Sequence, residues 1–337
     1  MLELNFFGLA DAVFPRSWFE DAEFRAWGSG MNSMRRWCAA VLYGRSVVVF
    51  GGMDMNVASM DTTEVLDLDD AGTTEASFTA GPTMATTRFG CAAVRLDARR
   101  VLVVGGCDGG DKNLDSTEIL DFETMRFSAG PRMLSKRVYC AAVALDARRI
   151  LVAGGGDENG SHRTTEILDV ATMTFAPGPE MLSGRFGCSA VALEGSPRRV
   201  LVVGGCDNGE VSFNTTEVLD LDTMTFSRGP TMRAARNGCA AVPLGGDSRG
   251  RCLVLGGTDE GGFETKTTEV LDLETMEFTD GPAMLDEREG CAAVADRDAG
   301  GDRVFVLGGA SIAGMEVLEA AAAAAGETTR ATRQLRR

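Results

Sequence analysis

The 337-residue chain is short of several residue types, and each shortage excludes something. It has one histidine, His162, and two tyrosines, Tyr43 and Tyr139, so no histidine-based metal set is available. Of 33 basic residues only three are lysines (Lys112, Lys136, Lys266), and 49 acidic residues leave a net charge of −16. A chain this acidic lacks the basic face that phosphate backbones require, so nucleic acid is excluded as a general partner. No apolar run approaches the ~18 residues of a membrane helix, and no membrane partner is expected. The start, MLELNFFGLADAVF, is apolar but has no basic residues before it and makes a poor signal peptide. There are nine cysteines, an odd number, and no C-x-x-C, so the thiols are expected reduced and the protein cytoplasmic. Proline is scarce at nine, whereas 42 glycines are too many for a helical bundle and suit a turn-rich β protein.

What is abundant is repetition. An apolar run ending in a diglycine recurs six times, at Gly51-Gly52, Gly105-Gly106, Gly154-Gly155, Gly204-Gly205, Gly256-Gly257 and Gly308-Gly309. The intervals are 54, 49, 50, 52 and 52 residues. Each unit has a small-residue run beginning at Cys38, Cys91, Cys140, Cys188, Cys239 or Cys291, then the diglycine strand. A T-E-V/I-L-D stretch follows at Glu64, Glu118, Glu166, Glu217 and Glu269, and then a stretch with Phe78, Phe127, Phe175, Phe226 or Phe278 before Gly-Pro and Met. An arginine leads into the next unit: Arg35, Arg88, Arg137, Arg185, Arg236 and Arg288. Four short strands joined by turns form an antiparallel meander, and six such sheets arranged radially form a β-propeller. Cys and Ala then belong on the innermost strands around the channel, where space is least.

This pattern of diglycine, Glu-Val-x-Asp, aromatic and loop arginine resembles the kelch repeat over residues 31–319. The family's third-strand Tyr is Leu here (Leu66, Leu120, Leu168, Leu219, Leu271), and its fourth-strand Trp is Phe. The resemblance implies an all-β fold: a six-bladed kelch-type propeller with four antiparallel strands per blade. The sixth unit runs into Ala320–Ala325 where its fourth strand should be, so residues 22–28 (Phe24-Arg-Ala-Trp27 within them) are expected to complete that blade. The chain then divides into an N-terminal extension (1–21), the propeller (22–319) and an Ala-rich helix with a basic tail (320–337).

No catalytic constellation rises above background, and no cofactor or metal is expected. Galactose-oxidase-like copper enzymes resemble kelch propellers but need several His and Tyr ligands; iron-dependent specifier proteins need a carboxylate-and-His motif absent here. His162 is expected as an exposed loop residue. The per-unit cysteines are expected to pack as small hydrophobes around the channel, and Cys107 and Cys206, after diglycines, to be more accessible. Asp111-Lys-Asn-Leu-Asp115 imitates a calcium loop, but Ser116 and Phe122 stand where Gly and Glu are required. The recurring Arg88, Arg137, Arg185, Arg236 and Arg288 are expected to form structural hydrogen-bonded pairs with Glu118, Glu166, Glu217 and Glu269, within or between blades.

The loops after the second strands vary between units, as a recognition face requires. The candidate partner-binding residues there are Asp54, Asp108, Asp111, Asp157, Glu158, Asp207, Glu210, Asp259 and Glu260, with Arg36, Trp37, Phe89, Tyr139 and Phe186 bordering the same face. Residues just after the diglycines are small (Cys107, Gly156, Cys206, Thr258, Ala310) apart from Met53, which argues against a deep peptide pocket. The opposite face, with its Leu-Asp-Ala-Arg-Arg and Asp/Glu-Thr-Met turns, reads as scaffold. The expectation is a monomeric, non-catalytic interaction scaffold or adaptor that binds a protein, in particular a basic peptide or surface. The resemblance also implies a substrate-receptor role in ubiquitin ligases. The residues before the repeats are too few for a BTB domain and hold no clear F-box pattern, so that role needs a separate subunit. The alternative is an enzyme or sugar-type small-molecule binder at the channel mouth. Unlike polar side chains with a perturbed carboxylate there would favour it; a flat acidic rim would favour a protein partner.

Overall fold

The computed structural model describes residues 22–28, 30–68, 77–193, 198–208, 211–244, 250–296, 303–309 and 313–320, and within these there is no helix. Six four-stranded antiparallel sheets are present, one per repeat. In the first blade the strands run Ala39–Tyr43, Ser46–Phe50, Thr63–Asp67 and Thr79–Ala80 from the inside outward. The same order holds in every later unit, and in the third blade Gly160–Ser161 adds a short fifth strand. The sixth blade has Ala292–Asp296, Arg303–Leu307 and Met315–Ala320. Its outermost strand is Ala22–Ala26, paired antiparallel from Ala22↔Ala320 to Ala26↔Glu316. The N-terminal segment thus closes the ring as expected. Ala320 still belongs to a strand; the helix and tail expected beyond it, and the extension over 1–21, lie outside the described residues.

Residue size decides which strand goes where. Second strands such as Val101–Val104 and Val200–Val203 are fully buried, because neighbouring blades cover both sheet faces. The hydrophobic clusters join adjacent blades: Cys38, Val47 and Val49 of the first blade pack with Ala292, Phe305 and Leu307 of the sixth. Leucines in the family's Tyr positions (Leu66, Leu120, Leu168, Leu219, Leu271) have no exposed surface.

The arginine of each unit is fully buried and links blades. Arg185 donates through Nε to Glu217 Oε1 at 3.0 Å and through Nη1 to the Gly204 carbonyl at 2.7 Å. Glu217 also accepts from the backbone N–H groups of Leu182 (2.6 Å) and Ser183 (3.1 Å). All these partners belong to the arginine's own blade or the loop leading into it, so the expected pair is intra-blade. The inter-blade link is the arginine's carbonyl, which accepts from the preceding blade's second glycine: Gly155 N–H to Arg185 at 2.8 Å. The same geometry recurs in all six units and closes on itself through Gly309 N–H to Arg35. The first diglycine residue has φ near +60°, and a Cβ on Gly51 would sit 2.2 Å from the Arg88 carbonyl oxygen, so only glycine fits.

Candidate functional site

The innermost strands line an axial channel of about 570 Å³. Its wall is mostly Ala and Val; Arg95 is the sole charged side chain among the described lining residues, and no carboxylate or histidine is among them. The six cysteines ring this channel but are buried, with Cys38, Cys188 and Cys239 each turning Sγ toward a carbonyl of the preceding blade. Burial pushes the Cys91 and Cys140 thiols up to about 12. Cys107 and Cys206, expected to be more accessible, are instead buried, because their strands fold back beside Phe89 and Phe186. Burial likewise raises the Cys107 thiol to about 11, so that position offers no thiolate nucleophile near neutral pH.

The channel narrows on the loop face at a closed circle of six backbone hydrogen bonds. The circle runs Trp37 N–H to Gly290, Gly290 to Gly238, Gly238 to Gly187, Gly187 to Tyr139, Tyr139 to Gly90 and Gly90 to Trp37, at 2.7–3.0 Å. Every member has φ between +55° and +69°. Four blades use glycine there; the first and third place Trp37 and Tyr139 in the same left-handed conformation. Their rings lie across the mouth at 4.4 Å between centroids. Glycine is what makes room: a Cβ on Gly238 or Gly290 would sit 2.6 Å from the Trp37 indole, and one on Gly90 would sit 2.7 Å from Tyr139. Trp37 and Tyr139 therefore form an aromatic floor over the end of the channel.

Around that floor stand the residues one position earlier in each unit. Phe89 and Phe186 flank Tyr139 at 5.9 and 6.3 Å between centroids and make one side apolar. Arg36, Asn237 and Glu289 make the other side polar. Arg36 bridges Glu289 (2.6 Å) and Glu264 (2.7 Å). Burial raises the Glu289 carboxyl above its ordinary value, only partly offset by Arg36, and burial with Glu289 nearby pushes the Tyr139 phenol up to about 12. Asn237 Oδ1 and Arg36 Nε are buried without a hydrogen-bond partner among the described residues.

The structure thus brings Trp37, Phe89, Tyr139 and Phe186 together on the loop face. The aspartates after the diglycines are used locally. Asp54 Oδ1 accepts from the Ala58 and Asn56 N–H groups, which hold its carboxyl below the usual range. Asp108, Asp157, Asp207 and Asp259 staple their loops likewise, each accepting from a backbone N–H two to four residues on. Glu158 pairs with Lys136 at the surface, and Asp111 and Glu260 are exposed. Glu210 lies outside the described residues. His162, expected to be exposed, is largely covered, with Nε2 3.1 Å from the Lys136 carbonyl. Among the described residues no three His, Cys, Asp or Glu side chains converge as a metal site.

The sequence reading missed two things. One is the polar cluster of Arg36, Glu264 and Glu289, whose members come from the first, fifth and sixth units and share no motif. The other is a set of exposed apolar side chains. Of eight such residues among those described, seven lie on the loop face: Met55, Val57, Val211 and Phe263 in second-strand loops, and Leu134, Leu182 and Leu285 in fourth-strand loops. Val57 is 73% exposed with φ +62°, a conformation β-branched residues avoid. Its signal was visible in the repeat, because Gly262 holds the corresponding loop position in the fifth unit.

On the opposite face the turn charges neutralise one another as expected, with Arg99 on Asp121, Arg100 on Asp97 and Arg149 on Asp146. The described residues contain no helix long and apolar enough to cross a membrane. No curated protein matches the chain. The Kelch motif matches residues 88–134 and 184–233, the units carrying the second and fourth diglycines. With all six units superposing their diglycine, glutamate and arginine in one closed ring, the chain is a kelch-repeat β-propeller.

Proposed function

We propose that the protein is a non-catalytic interaction module whose loop face docks another protein. The observation that carries this reading is the segregation of exposed apolar side chains onto one face. A soluble surface gains nothing from Met55, Val57 and Phe263 at more than 70% exposure unless something covers them. They stand on variable loops held by a repeated frame, while the opposite face is occupied by internal ion pairs. The acidic loops and the net charge of −16 favour a basic partner surface. A receptor role in a ubiquitin ligase is compatible with this module and would operate through a further subunit.

The test compares affinity capture by wild type, by Met55→Ser/Val57→Gly/Phe263→Ser, and by an opposite-face control, Glu123→Ala. A partner retained by wild type and the control but lost by the triple variant is the expected result. Equal capture by all three removes the loop face from consideration.

A second reading, a small-molecule binder at the channel mouth, has one observation in its favour. Arg36, Asn237 and Glu289 are unlike polar groups around a carboxyl whose ionised form burial disfavours.

A further inference from the structure

We infer that the aromatic floor formed by Trp37 and Tyr139 is a receptor site for a guanidinium group, the side chain of an arginine presented by the partner. This rests on the reading of the loop face as a protein interface and specifies its centre.

Internal comparison among the blades supplies the first argument. Six equivalent positions require left-handed backbone, and four satisfy it with glycine. Placing Trp and Tyr at the other two is unfavourable for folding, since non-glycine residues resist this conformation. Strain of this kind persists where a site uses it. Here it brings two rings edge to face at 62° over the channel end, a place where neither is needed to fill the hydrophobic clusters between blades. Neither the Trp37 indole N–H nor the Tyr139 hydroxyl has a hydrogen-bond partner among the described residues.

Charge and shape then select the ligand. The cluster beside the floor holds two carboxylates, Glu264 and Glu289, against one guanidinium, Arg36, leaving one negative charge in excess. Glu289 is mostly covered, at 17% side-chain exposure, so the excess charge is poorly solvated and a second cation would be welcome. The nearby Asn237 Oδ1 is an acceptor without a donor. A ligand that meets these groups must be flat, cationic and rich in N–H donors. Guanidinium stacks on aromatic faces and forks onto carboxylates; an ammonium does neither as well. Phe89 and Phe186 on the far side offer cover for the methylene stem of the same side chain.

The test uses the full chain and the tripeptide amides acetyl-Gly-Arg-Gly, acetyl-Gly-citrulline-Gly and acetyl-Gly-Lys-Gly, with methyl glucoside as a neutral probe, titrated by NMR. Saturable binding of the arginine peptide is expected, about tenfold or more stronger than that of citrulline, which keeps the shape and loses the charge. Trp37→Gly and Tyr139→Gly install the residue that the other blades already carry, and each is expected to fold and to lose about tenfold or more. Glu289→Gln is expected to weaken arginine while leaving citrulline unchanged. Equal binding of arginine and citrulline peptides, no saturable binding of the arginine peptide, or indifference to both glycine variants at unchanged melting temperature overturns the proposal. So does methyl glucoside binding through the same residues. The loop substitutions Met55→Ser/Val57→Gly/Phe263→Ser leave the floor intact. A partner captured equally by wild type, Trp37→Gly and Tyr139→Gly but lost by that triple variant would therefore refute the guanidinium site alone.

Discussion

At the scale of single residues, the arginine–glutamate pair is the most demanding element of the repeat. Both groups are buried, and in the fourth blade their polar atoms are matched: the Glu217 carboxylate by two backbone N–H groups and the guanidinium, the Arg185 guanidinium by the carboxylate, two carbonyls and the Thr215 hydroxyl. Removing one partner leaves the other charged and unpaired. Glu217→Ala is therefore expected to cost roughly 3–5 kcal/mol in urea unfolding; a loss below about 0.5 kcal/mol would place the pair in solvent. This pairing could be read from the sequence because both residues recur in every unit, and a repeated charge inside a two-sided core must be compensated. The Arg36–Glu289–Glu264 cluster could not, because it occurs once and joins side chains that only the closed ring brings together.

At the scale of the strand, the sixth blade shows what an outer edge contributes. Ala22 and Phe24 are buried against the ring, and Trp27 packs on Phe305 at 4.8 Å between centroids while Arg303 lies over its face. Trp27 also donates its N–H to the Met315 carbonyl. Deleting residues 1–28 removes these contacts and opens the Met315–Ala320 strand to solvent. The melting temperature is expected to fall by roughly 5–10 °C, and an unchanged value would mean that the strand contributes nothing. The strands themselves were legible from the stretches that recur in every unit and the turn residues between them, and the closing strand from the echo of Phe, Met and Arg before the first unit. Loop conformation was not legible. The aspartates after the diglycines look like a binding set in sequence, yet they satisfy the N–H groups of their own loops, a competition settled by local geometry.

At the scale of the molecule, charge sets the response to pH. The turn carboxyls of Asp97, Asp121, Asp146, Asp169 and Asp220 all lie below their ordinary range. Asp121, paired with Arg99, lies at about 2, and the backbone N–H groups of Thr172 and Thr223 donate to the Asp169 and Asp220 carboxylates and hold them down. Groups with depressed values stabilise the fold above the unfolded value near 3.9 and lose that contribution as pH falls through their folded values. Glu289 is shifted the other way, so its contribution is present in acid and lost as pH rises through its raised value. Falling pH also relieves the repulsion of a chain at −16. Thermal melts are therefore expected to hold or rise from pH 7 to about 5, then drop between about 4 and 2. A melting temperature that declines steadily from neutrality would contradict this ordering of terms.

The pairing of Ala22–Ala26 with Met315–Ala320 carries a consequence for biosynthesis. The first of these strands leaves the ribosome early and its partner late, with five complete blades made in between. Until Met315–Ala320 emerges, the early strand has no partner and the arc of blades has two unjoined ends. Final closure is thus a late event in synthesis, and a truncated nascent chain would present both ends as sticky edges to its neighbours.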